Sequence, residues 1–176
     1  TFEILADTAN HLTQHQGEST RLSRFRGDGW QMFIDQPWRS LQSCIYIVAR
    51  LRADRKALPT RIAAGIGMIE RLPATALEQA FGEAPNSSGR CLDAMPQGKR
   101  LAIAGEHYVL PWHRAIFDLV EWQSSRWSPE QAEAVALSFD HENLPYQERG
   151  FLLGITRQAM QARLRSAGRS HLDEAL

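Results

Sequence analysis

The side chains best suited to do chemistry lie near the C-terminus. In "LGITRQAMQARLRSAG" (153–168), Arg157, Gln158, Gln161 and Arg165 fall on one side at helical spacing, and Met160 and Leu164 fall on the other. Arginine offers a rigid fork that matches guanine O6 and N7, and glutamine makes a two-point pair with adenine. These are the residue types that read base edges in a major groove. Between residues 145 and 170 there are five arginines (Arg149, Arg157, Arg163, Arg165, Arg169) against one acid, Glu148, in a chain of zero formal net charge. Such a local cluster is where phosphate contacts are expected.

The elements that must position these side chains can be read from the same stretch. A second helix crossing a first needs a small residue at the crossing, which Gly150 supplies. The turn needs a residue tolerant of positive φ, which Gly154 supplies. Ile155 plugs the core and Thr156 caps the second helix. Helices are expected over 129–141, 145–153 and 156–167, with Ser128, Pro129 and Gln131 forming the first start signal. The pattern resembles the helix-turn-helix of bacterial regulators and sigma-factor-like domains. That resemblance implies DNA binding, with Thr156, Arg157, Gln158, Gln161, Arg165 and Arg169 as contacts, and a homodimer on two half-sites. The acids of 129–142 (Glu130, Glu133, Asp140, Glu142) would have to face away from DNA. A helical hairpin used only for packing or dimer contacts is the alternative reading.

A second candidate is Asp28, at the tip of "RLSRFRGDGWQMFID" (21–35) between Gly27 and Gly29. A carboxylate there can turn a hairpin or hold a divalent ion. Around it the pattern predicts a helix over 2–15 with Phe2, Leu5, Ala9 and Leu12 on one side, and a second hairpin strand with Trp30, Met32 and Ile34 on one face. Leu22 and Phe25 leave the register of the first strand open. A helix over 37–53 follows, then a strand over 60–70 whose Ala63, Gly65 and Gly67 leave one face bare. The remaining expectations are a short helix over 74–81, a loop at "GEAPNSSG", a short helix at "RCLDAM" and a strand at "KRLAIAG". A helix over 109–123 is expected to turn Trp112, Ile116, Leu119 and Trp122 inward. A boundary near "SSRWSPEQ" divides the 176 residues into an α/β domain, 1–125, and a helical domain, 128–176.

The order of elements in the first part resembles the core of nucleotidyl cyclases, both class III and GGDEF-type, through "RFRGDGWQMFI" and "RIAAGIG". The resemblance implies an α+β fold with a ferredoxin-like antiparallel sheet. It also implies two aspartates holding Mg or Mn over a triphosphate, with Asp28 as the hairpin aspartate. The strand bearing its partner would precede residue 2, upstream of Thr1. Asp7 does not replace that partner, because the 20 residues between Asp7 and Asp28 would have to supply both a crossover helix and a strand. Asn86 and Arg90, at i and i+4, match a transition-state pair of class III cyclases. The tip lacks the second acid of GGDEF. The combination of "FRGDGWQ", "GIG", "SSGRCLDAM" and "LGITRQAMQARLRSAG" resembles the SatD family of bacterial proteins from about residue 2 to 168. That likeness implies architecture more than activity.

The expected function is therefore a DNA-binding, transcription-regulatory protein whose cyclase-like part is a candidate for nucleotide or metal binding. The alternative is a nucleotidyl cyclase, or related nucleotide-polymerising enzyme, whose tail serves oligomerisation. No apolar run approaches bilayer length and no signal-peptide pattern is visible. Cys44 and Cys91, without CxxC spacing, read as buried thiols in a reducing, cytoplasmic setting. His11 and His15 lack a third ligand and read as solvent-facing, and the tryptophans read as core.

Overall fold

A computed structural model describes residues 1–16, 19–25, 27–74 and 76–176, with the backbone only at 15 and 16. The first helix, α1 (Phe2–Gln16), buries Leu5, Thr8, Ala9 and Leu12 at the expected spacing. Thr8 satisfies its hydroxyl by donating to the Ile4 carbonyl at 2.6 Å. Strands β1 (Thr20–Phe25) and β2 (Gly29–Ile34) form the expected hairpin. Its register settles the open point. Leu22 lies opposite Met32 on the face bearing Trp30 and Ile34, and Phe25 falls on the other face opposite Gly29. The first face packs on the core, with the Arg24 guanidinium 4.2 Å from the Phe2 ring centre. The second face carries Arg21, whose Nη1 donates to the Pro73 carbonyl at 3.2 Å.

A 3-10 turn, Pro37–Arg39, leads into α2 (Ser40–Ala53), which buries Ser43, Cys44, Ile45, Tyr46, Ile47, Ala49 and Leu51. Burial around so much of its circumference makes α2 the centre of the molecule. Strand β3 (Ile62–Gly65) pairs in parallel with β6 (Leu101–Ala104). The expected single strand over 60–70 breaks after Gly65. Its second half, β4 (Ile69–Arg71), pairs antiparallel with the short β5 (Phe81–Gly82).

The expected loop at "GEAPNSSG" is instead the start of a helix, α3 (Glu83–Asp93). Pro85 in its first turn forfeits no helical hydrogen bond, so it does not oppose this start. The loop-like residues Asn86 and Gly89 are those on the exposed face, while Ala84 and Ser87 are buried. α3 is also what the bare face of β3 accommodates: a Cβ on Gly65 would lie 2.1 Å from the Ala84 carbonyl oxygen and 2.9 Å from Ser88 Cβ. The expected helix over 74–81 is a 3-10 turn, Leu77–Gln79, and residue 75 lies outside the described residues.

Helix α4 (Pro111–Ser124) forms where expected but presents a different face. Phe117 and Val120 are buried and Ile116 is half-buried, whereas Trp112, Leu119 and Trp122 are 56%, 66% and 58% exposed. The helix carries two apolar stripes, and periodicity alone does not choose between them.

The tail holds four helices rather than three: α5 (Pro129–Asp140), α6 (Tyr146–Leu152), α7 (Arg157–Ser166) and α8 (Arg169–Ala175). α5 begins with the expected capping box. Gln131 N–H donates to Ser128 Oγ at 3.2 Å and Ser128 N–H donates to Gln131 Oε1 at 2.8 Å. α5 buries Ala132, Ala134, Val135, Ala136 and Phe139, and its small residues let it lie close along α2. One apolar cluster runs from α1 and α2 through β3, β6 and α4 into α5, α7 and α8. The boundary near residue 126 is thus a change of architecture, crossed by a continuous core. The fold is α+β. Among the described residues its strands form three two-stranded pairs, and the parallel β3–β6 pair departs from the antiparallel sheet expected. Cys44 is buried, which pushes its thiol up to about 12, while Cys91 is only half-buried, unlike the expectation.

Candidate nucleic-acid interface

α6 and α7 meet through a turn built on two glycines. A Cβ on Gly150 would stand 2.8 Å from the Ile155 carbonyl oxygen and 3.1 Å from that of Thr156, so the helices can approach this closely only at glycine. Ile155 N–H donates back to the Gly150 carbonyl at 2.9 Å. Gly154 takes a φ of +65°, the left-handed conformation that L side chains avoid. Thr156 caps α7, its hydroxyl accepting the Ala159 N–H at 3.1 Å. Met160 and Leu164 are buried, at 0% and 3% exposure, and lock the inner face of α7. Arg157, Gln158, Gln161 and Arg165 are all exposed, on an arc of about 100°. None of the ion pairs among the described residues engages Arg157 or Arg165.

The acids of α5 are answered within the fold. Glu130 pairs with Arg55, and Glu133 lies 3.1 Å from Arg163. Asp140 accepts from the Tyr46 hydroxyl at 2.5 Å and lies 3.7 Å from Arg50. Glu142 lies 3.5 Å from the Gln42 amide.

The arginine cluster itself divides in two. Arg149 closes the end of α5, donating from Nε to the His141 carbonyl at 3.0 Å and from Nη2 to that of Glu142 at 2.7 Å. Arg163 is held by Glu133. Arg169, expected to touch DNA, is turned inward: its side chain is 14% exposed, 4.0 Å from the Phe139 ring centre and 3.0 Å from Asp173. Burial lowers its pKa, against the pull of Asp173. Only Arg157 and Arg165 of the five face outward without a partner of these kinds. We expect Arg169→Ala to cost about 2 kcal/mol of stability through the lost desolvated cation–π contact and stem packing, read as a lower denaturant midpoint, without altering site preference.

The sequence pattern did not single out Phe151 and Leu152, which are 84% and 50% exposed. With Glu148, Ile155 and Arg157 they line a groove of about 470 Å³ beside the start of α7. Their only signal is an apolar pair following the crossing glycine, which reads equally well as packing.

In the N-terminal part Asp28 is exposed at the hairpin tip, next to Gly27 at φ +79°. Among the described residues no three or more His, Cys, Asp or Glu side chains gather as a metal site. Asp7 sits on the exposed face of α1, as a helical position rather than a strand end. Asp28 by itself is one carboxylate of the two that a two-metal centre of the cyclase kind requires. Asn86 and Arg90 lie one turn apart on the exposed side of α3. Arg90 pairs with Glu106 at 2.5 Å and, with Cys91, Lys99 and Arg114, lines a cavity of about 460 Å³ between α3, β6 and α4. Neither Asn86 nor Asp28 lines that cavity.

His11 corrects another expectation. It is 12% exposed, with Nδ1 3.4 Å from Asp140 and its ring 4.8 Å from that of Tyr46. The side chain of His15 lies outside the described residues. Of the tryptophans, Trp127 is buried and donates from Nε1 to the Ala167 carbonyl at 2.9 Å, Trp30 is half-buried, and Trp38, Trp112 and Trp122 are exposed. No helix among the described residues is long and apolar enough to cross a membrane. Searches against protein-family models, curated proteins and solved structures found no match to this chain.

Proposed function

We propose that this chain is a cytoplasmic DNA-binding regulator that acts as a homodimer and reads sequence with α7, in the manner of a helix-turn-helix. The observation that carries this reading is the exposed arc of Arg157, Gln158, Gln161 and Arg165 on a helix whose inner face is locked by the buried Met160 and Leu164. Arg157, Gln158 and Gln161 reach for base edges, Arg165 for edge or phosphate, and Thr156 N-terminal to them contacts the backbone. The N-terminal part, with its likeness to cyclases and to the SatD family, serves as a nucleotide- or metal-responsive partner to the reading head. The test is equilibrium binding to a library of genomic fragments at several salt concentrations. Specific binding appears as retention of a few fragments as salt rises. Equal, weak binding of all fragments defeats the proposal.

One observation favours a second reading, an Mg- or Mn-dependent nucleotidyl cyclase. Asn86 and Arg90 occupy a regular helix, so their i, i+4 spacing places both on one face, with Arg90 at the mouth of a cavity. Incubation with nucleoside triphosphates and either metal decides it. A cyclic or oligonucleotide product that Asp28→Ala abolishes supports it, and no product removes it.

A further inference from the structure

The exposed stripe of α4 has an order that suits only certain partners. Trp112, Ala115, Leu119 and Trp122 are all exposed and follow the 3–4–3 spacing of a coiled-coil seam. Read backwards the stripe matches itself. An antiparallel copy brings Trp112 opposite Trp122 and small Ala115 opposite large Leu119, each pair twice. Each tryptophan is backed on one side, Trp112 by the His113 ring at 3.5 Å and Trp122 by the Arg126 guanidinium at 4.0 Å. Arg114 and Asp118 flank the seam one turn apart, and Asp118 also takes Lys99 at 2.5 Å. Arg114 and Asp118 lie on one flank of the seam, and reversal brings that flank against its own copy, with Arg114 near an opposing Asp118.

We infer that two copies of this chain associate through α4, antiparallel about a twofold axis near Phe117. An interface between identical subunits about a twofold must be self-complementary, and this stripe is. Its three large side chains expose roughly 400 Å², about half of what a standard interface takes from each partner. Tyr108 and Leu110, 52% and 50% exposed just before α4, extend the patch. The far end of α4 is tied to the end of α7. Gln123 Nε2 donates to the Ala167 carbonyl at 2.6 Å, as Trp127 does, and a Cβ on Gly168 would strike the Gln123 amide at 2.2 Å. The dimer stands on α4 alone. Only its corollary, that the twofold sets the distance between two reading helices, rests on the DNA reading.

The test uses the full chain without DNA. Sedimentation equilibrium at micromolar concentration should give a dimer, Leu119→Glu a folded monomer by circular dichroism, and Phe151→Glu, on the other exposed apolar patch, an unchanged dimer. Spin labels on single cysteines in a Cys91→Ser background then fix the direction. Antiparallel pairing separates labels at Ser125 by roughly 24 Å along the axis and labels at Asp118 by roughly 3 Å. A monomeric wild type, a dimer that survives Leu119→Glu, or equal separations at the two positions would overturn the inference.

Discussion

Replacing Asp140 with alanine should lower stability by about 3 kcal/mol, the largest loss expected from any one polar side chain here. Asp140 is the last residue of α5, and its carboxylate gathers groups from two other helices. It accepts from Tyr46 of α2 at 2.5 Å, lies 3.4 Å from His11 of α1 and lies 3.7 Å from Arg50 of α2. Tyr46 is fully buried, so alanine would strand its hydroxyl in the core. Asp140 is itself 19% exposed, which keeps the expected loss at the lower end for a broken buried pair. Urea unfolding reads this as a fallen midpoint with unchanged slope. A loss under about 0.5 kcal/mol would mean the three groups find water instead.

The same cluster has a pH signature. Burial first, then the hydrogen bond and charge of Asp140, push the Tyr46 pKa up from its ordinary 10.0. The folded state therefore holds the phenol proton more tightly than the unfolded chain. That stability is fully present below pH 10 and declines as pH climbs beyond it, and Tyr46→Phe should abolish this decline.

The second large effect is expected at the helix crossing. Gly150→Val should cost about 3 kcal/mol, because even its Cβ would stand 2.8 Å from a backbone oxygen that has nowhere to move without shifting α7. Gly154→Ala should cost about 1 kcal/mol for its positive φ alone, since nothing lies within 4 Å of the added carbon. Gly89→Ala is the contrast: exposed, inside α3, in open space, it should stabilise by about 0.5–1 kcal/mol. Denaturant midpoints order the three. Gly150→Val should also abolish DNA binding. If Gly150→Val matched Gly154→Ala in cost, the close approach of α6 and α7 would be refuted.

What the chain announced in advance follows from how local each signal is. The hairpin at 20–34, α2, the capping box of α5 and the turn at 150–156 each rest on residues within one or two turns of each other, and each formed as expected. α3 stayed hidden because its exposed face carries Asn86 and Gly89, residues whose composition reads as loop until β3 is there to bury Ala84. The facing of α4 was missed for a related reason: Trp112, Leu119 and Trp122 outweigh Phe117 and Val120 in a count of apolar mass, and the packing of α4 on β6 and α2 decides which stripe turns in. In the candidate interface, outward positions on α7 followed from Met160 and Leu164, but the charge count overstated the positive surface. Arg149, Arg163 and Arg169 are spent on a helix end, a glutamate and a phenylalanine ring, all distant in sequence or beyond any periodic signal. Asp28 remains what its sequence context made it, an exposed carboxylate on a glycine-flanked tip.

The central claim is that α7 reads bases. Its most direct measurement compares the wild type with an Arg157→Ala, Gln158→Ala double variant on the duplex that the wild type selects from a random pool, against a scrambled duplex of equal length and salt. The wild type should prefer the selected duplex, and the double variant should lose about 30-fold or more of that preference while still binding both weakly, at about one to three kcal/mol for each of the two lost base contacts. A wild type that selects no sequence, or a double variant that keeps the full preference, would contradict the account.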